Sequence, residues 1–178
     1  MKLRLESVRR IARFAIMFYA ILFSSALISA LIFNSFPSLN TYRDEIVSLM
    51  RREVTTIFQA PFPPLNIFLH NVMIAILMSI PYLGVVVFLY ATIMTGITLG
   101  ASISIIIGNI PQVISILLLL FLPHGILESI AYAVALFSAT NKNIRLTLRL
   151  IPIVASTLFV AALVEYCEII ILRGKVGV

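Results

Sequence analysis

Residues 67–107 read IFLHNVMIAILMSIPYLGVVVFLYATIMTGITLGASISIII, with no formal charge apart from the titratable His70. A single helix over this run would be about 60 Å long at ~1.5 Å per residue. That is roughly twice the ~30 Å hydrocarbon core of a bilayer. The chain must therefore turn back, and SIPYLG at 79–84 is the breaker: Pro81 lacks a backbone donor and Gly84 tolerates unusual dihedrals. The run predicts a short helix over about 66–80, able to cross thinly or to re-enter, and a longer one over about 83–107.

Working outward, GNIPQ at 108–112 makes the next turn, and a helix over about 111–139 follows, with a kink expected at Pro123 and Gly125. ATNKNIRLTLR at 139–149 leads to a last helix over about 150–172. Upstream, residues 14–33 form an uncharged run behind the basic segment MKLRLESVRRIAR. This run is too long for the apolar core of a signal peptide, so it predicts a retained first helix. Residues 34–65 are the one long polar segment, opened by NSFPSLN and closed by APFPPLN. Between them Ile46, Leu49, Met50, Val54 and Phe58 recur at helical spacing, predicting an amphipathic helix on the membrane surface or on the helix ends.

Composition agrees. Of 178 residues, 61% are hydrophobic and 11% charged, against about 25% charged in soluble domains, and the mean hydropathy is +1.12. The expected fold is an all-α, polytopic membrane helix bundle of about five transmembrane helices in a single domain, 1–178. Residues 1–13 are its basic tail, 34–65 its first loop and 66–172 its core. Cys167 is alone, which excludes a disulfide framework or a thiol metal cluster. The pI near 9.9 reflects basic cytoplasmic loops rather than nucleic-acid binding. Five spans with the N-terminus inside put Lys2, Arg4, Arg9, Arg10, Arg13, Lys142, Arg145 and Arg149 in the cytoplasm and the C-terminus outside. Four spans would put the last three outside, against the positive-inside rule. The predicted location is the cell membrane.

The long helix carries Thr92, Gly96, Gly100, Ser104 and Gly108 at intervals of four, a stripe that lets another helix approach closely. It predicts a packing seam, within the subunit or between copies.

Ionisable residues inside spans are costly, about 2.5–3.5 kcal/mol on insertion scales, and usually face the bundle interior with partners. Within LPHGILE, His124 and Glu128 lie near the expected midplane; Glu165 on the last helix and His70 and Asn71 on the second fall at similar depth. These five residues form a candidate buried polar cluster, either a proton, ion or solute site or a satisfied network that fixes helix register. Glu168, one turn further out, is expected to be a solvated interfacial carboxylate. No catalytic residues and no cofactor are expected.

PHGILE carries a resemblance as well. It is similar to the Pro-His-Gly-x-x-Glu motif of the stage II sporulation protein M family of small prokaryotic membrane proteins, through Pro123, His124, Gly125 and Glu128. Asn71 in LHNVMIA, the small-residue run TGITLG, and Glu165 in AALVE also resemble that family, over about residues 65–170. Thr95-Gly96 stands where the family often has Asn-Gly, and His70-Asn71 where it usually has two asparagines. Bacterial sporulating members work in a membrane complex that remodels the cell wall, with hydrolase partners supplying the chemistry. Relatives also occur where there is no sporulation, so that role does not transfer with the motif.

The leading expectation is a non-enzymatic scaffold or gating subunit of a membrane complex. Its expected partners are lipid, a second copy (a dimer being favoured) and other membrane subunits, with no nucleic acid. The alternative is a transporter or channel-like protein moving a proton, ion or small polar solute through the cluster. An intramembrane metal hydrolase would need three ligands and a water, and only His70, His124 and Glu128 suggest themselves.

Overall fold

The computed structural model describes residues 2–108, 113 and 123–176, and among them it is all α. Helix α1 (Lys2–Ser35) is followed by a 3-10 turn (Pro37–Leu39), then by α2 (Asn40–Gln59), α3 (Pro63–Met78), α4 (Leu83–Ile106), α5 (Pro123–Thr140) and α6 (Ile144–Val176). Among the described residues, three segments are long and apolar enough to cross a membrane: Leu5–Ser35, Leu83–Ile106 and Ile144–Ile171. Helix α3 is apolar but shorter, and α5 has 18 residues. The expected start of the α5 helix near residue 111, and the backbone ahead of Pro123 where a kink was expected, lie outside the described residues. Gly125 continues the helix.

Two helices start earlier than expected. The basic segment at the N-terminus is the first part of α1, because nothing between Lys2 and Ser35 is Gly or Pro and its Leu, Arg and Ala favour helix; Pro37 then stops it. Helix α6 starts at Ile144 rather than near 150. Asn143 caps it, its side-chain oxygen accepting from Arg145 N (3.1 Å) and Leu146 N (3.3 Å). Arg145 and Arg149 therefore sit on helix, and Pro152 is accommodated inside it. Helix α3 begins at the paired Pro63 and Pro64, whose missing donors fall among the unpaired first-turn groups.

The turn at 79–82 forms where SIPYLG predicts it. Tyr82 takes the left-handed conformation (φ 68°), and Gly84 is needed for a close approach: a Cβ there would lie 2.0 Å from the Met78 carbonyl oxygen and 2.8 Å from Ala139 Cβ. Lys142, left-handed in the α5–α6 turn (φ 53°), sets its ammonium 4.5 Å from the centre of the Tyr82 ring. The two turns therefore lie at the same end of the bundle.

Helix α5 is central, and its Ala131, Ala133, Ala135 and Ala139 are buried. Small residues let α1, α3, α4 and α6 pack against it. Around it Met78, Phe88, Leu136 and Leu158 form a dry core. The outer faces carry exposed apolar side chains such as Ile16, Leu27, Met73, Val86 and Ile171. Helix hydroxyls donate to their own backbone, as Thr92 does to the Phe88 carbonyl (2.7 Å) and Ser79 to that of Ala75 (2.8 Å), the way a helix satisfies polar atoms in an apolar medium.

The small-residue stripe is used inside the subunit. A Cβ on Gly96 would lie 2.7 Å from the Leu22 carbonyl oxygen, and one on Gly100 2.3 Å from that of Ala26. Helix α1 meets the stripe with Ser25, Ala26, Ser29 and Ala30, and Ser29 donates across to the Ile97 carbonyl (3.4 Å). Ser104 is buried on the same face. Gly108 does not belong to the seam: α4 ends at Ile106, and a Cβ at 108 would meet nothing within 4 Å.

Candidate functional site

Helix α2 crosses one end of the bundle, anchored by Ile46 and Val47 against Phe33 and Ala101. Further along, its Met50, Glu53, Val54 and Ile57 form the outer wall of a cavity of about 290 Å³. The inner walls come from every other helix: Phe18 of α1, Ile67, His70, Asn71, Ile74 and Met78 of α3, Ala91 and Thr95 of α4, Glu128 and Tyr132 of α5, and Glu165 of α6. At the far end Met78 is fully buried in the dry core.

Helical spacing explains the convergence. Asn71, Ile74 and Met78 follow one another at three and four residues, so they share a face of α3; Glu128 and Tyr132 are one turn apart on α5. Asn71 is buried and donates its Nδ2–H to Glu128 Oε1, joining α3 to α5. His70 lies at the mouth, half-exposed, with Nδ1 3.8 Å from Glu53 Oε1 of α2. Glu165 lines the cavity within electrostatic reach of His124, Glu168 and His70. Tyr132 lies within electrostatic reach of Glu128 and Glu165.

Of the five residues in the sequence-predicted cluster, Asn71, Glu128, Glu165 and His70 line this one cavity, and His124 does not. His124 Nδ1 is hydrogen-bonded to Glu168, with both side chains largely buried. The expectation that Glu168 is a solvated interfacial carboxylate is therefore corrected. Glu165 and Glu168 are three apart and share a face of α6, so the face that brings one inward brings the other. Among the described residues, no three His, Cys, Asp or Glu side chains converge as a metal site, so His70, His124 and Glu128 are not assembled as one.

Tyr132 and Glu53 are cavity residues that the sequence reading does not place in the cluster, and Thr95 enters that reading only as a departure from the family pattern. For Tyr132 a signal was there: it lies four residues after Glu128 on the same helix face.

No family model matches the chain, and neither a curated protein nor a solved structure is significantly similar to it.

Proposed function

We propose that this chain is a five-span protein of the cell membrane, with its N-terminus cytoplasmic and its C-terminus outside, that takes a small positively charged solute into the cavity beneath α2. The observation that carries the reading is the cavity itself: about 290 Å³, with Glu128 and Glu165 on its walls and Glu53 at its mouth. Carboxylates facing a void favour a cation, and ionisable groups in membrane helices commonly mark ion or solute paths. The apolar core of Met78, Phe88, Leu136 and Leu158 adjoins the cavity at Met78, and the exposed His70 and Glu53 mark its mouth beside α2. The short helix α3, 16 residues or about 24 Å at ~1.5 Å per residue, is long enough for a thinned or locally adapted bilayer.

The test is uptake of small amines, protons, Na⁺ and K⁺ into proteoliposomes by the wild type and by Glu128→Gln. The expected result is a flux or a saturable binding signal that the substitution removes. Identical behaviour of the two proteins would contradict the reading.

A second reading is favoured by the PHGILE motif: membership of the stage II sporulation protein M family, as a non-enzymatic scaffold or gating subunit of a membrane complex. Its support is the match at Pro123, His124, Gly125 and Glu128. The α1–α4 seam is occupied within the subunit, so a dimer would use another face, such as the exposed apolar sides of α3 or α6. Crosslinking in native membranes followed by mass measurement tests this. A discrete dimer or a partner adduct supports the second reading, and a monomer without adducts counts against it.

A further inference from the structure

The cavity's polar groups differ in how they are satisfied. One oxygen of Glu128 is bonded by Asn71. Among the described residues, the Glu165 carboxylate and the Tyr132 hydroxyl take part in no hydrogen bond, although Tyr132 is only 6% exposed and both line the void. Among the described residues, no fully buried side-chain polar atom lacks a partner, and Tyr132 is part of the cavity lining. Glu53 of α2, His70 of α3 and Thr95 of α4 also line the cavity, and the other walls are apolar, among them Phe18, Ile57, Ile67, Ile74 and Met78. Three oxygen-bearing groups on the inner helices thus have no hydrogen-bond partner among the described residues: the second oxygen of Glu128, the Glu165 carboxylate and the Tyr132 phenol.

We propose that the cavity takes a primary alkylammonium ion, its three N–H groups directed at Glu128, Glu165 and Tyr132 and its hydrocarbon part packed against Phe18, Ile67, Ile74 and Met78. This rests on the reading of the cavity as a cation site and names the chemistry of the cation. A primary ammonium carries three donors and no acceptor, one for each of these three acceptor groups. A phenol oxygen can accept an N–H. A hard inorganic ion fits less well: Ca²⁺ wants six to eight oxygens and Mg²⁺ an octahedral shell, and among the described residues no three His, Cys, Asp or Glu side chains converge on one point. At about 290 Å³ the space is at the lower end of small-molecule pockets, roughly 300–1,000 Å³. The ligand is therefore small.

The experiment uses the full chain in lipid nanodiscs and measures thermal stabilisation and calorimetric binding. The probes are n-butylammonium, n-butyltrimethylammonium, 1-butanol, NaCl and KCl. n-Butylammonium is expected to bind saturably, while 1-butanol, which has the same chain without the charge, does not. The trimethyl analogue, which lacks N–H donors, is expected to bind more weakly. Glu165→Gln should weaken n-butylammonium binding roughly ten-fold or more, the scale of a lost charge-assisted hydrogen bond. Tyr132→Phe, which keeps the ring and both carboxylates, should weaken it by less and reduce its advantage over the trimethyl analogue. Saturable binding of Na⁺ or K⁺ that depends on Glu165, with no response to n-butylammonium, would overturn this inference while leaving a cation site in place. No response to any charged probe would overturn both. Equal binding of 1-butanol would overturn the assignment of the carboxylates as the recognition element.

Discussion

The α1–α4 seam and the cavity beneath α2 both place polar atoms inside an apolar bundle, with opposite results. At the seam the polar side chains are short and their needs are met locally: Ser25 donates to the Ile21 carbonyl (2.8 Å) and Ser29 to that of Ala26 (3.2 Å). Gly96 and Gly100 contribute no side chain, so the two backbones close until a Cβ has no room. In the cavity the carboxylates are long and reach away from their own helices, and Glu128 of α5 takes its hydrogen bond from Asn71 of α3. Such groups hold helices apart and leave a void between them. Polar content alone therefore does not decide whether a membrane helix packs or opens. The reach of the polar group does.

The contrast can be broken most sharply at the seam. Gly100→Leu is expected to cost more than the ~1–3 kcal/mol usual for overpacking, because the obstacle is the Ala26 carbonyl and the Ala30 nitrogen, which belong to the backbone of α1. It should produce the largest fall in thermal midpoint in nanodiscs, and Gly108→Leu should leave the midpoint unchanged. A null effect at Gly100 would mean that the helices are not in close contact there.

Next in size is Asn71→Ala, which leaves the Glu128 oxygen without its donor in a mostly buried setting. About 1–3 kcal/mol is expected for a buried acceptor left without a partner, read as a lowered midpoint. Asn71→Gln, which keeps an amide, should recover part of it. The smallest effect is expected at Glu165. Its carboxylate faces the cavity without a hydrogen bond from the described residues, so Glu165→Gln should change stability by no more than about 0.5 kcal/mol, like other substitutions that break no packing or bonding. A large loss there would show that Glu165 is structural, and the seam and cavity would then be less different than they look.

Much of the fold can be read from residue order, because turns and stripes are local. Pro63 and Pro64 start α3, SIPYLG turns the chain, and the four-residue spacing of Gly96 and Gly100 marks the face α1 meets. The early start of α6 was also legible in principle, through Asn143 as a cap. The cavity was legible only in part. Depth follows from counting 1.5 Å per residue, and depth groups Asn71, Glu128 and Glu165. Depth says nothing about the direction in which a side chain leaves its helix, and that direction sends His124 to Glu168 rather than into the cavity. The place where the seam ends is likewise set by where α4 stops, which the stripe through Gly108 overruns.

The central claim is that one face of α3 borders a wet cavity while the other borders lipid. Ile74 lines the cavity, and Ile76, two residues on, is 44% exposed on the outside of the bundle. With Cys167 first replaced by Ser, Ile74→Cys and Ile76→Cys can be compared for reaction with a membrane-impermeant thiosulfonate, which modifies thiolates in water and not thiols in hydrocarbon. The account predicts fast modification of Cys at 74, applied from the α2 side, and slow modification at 76 at nearly equal depth. Equal rates at the two positions, or faster reaction at 76, would contradict it.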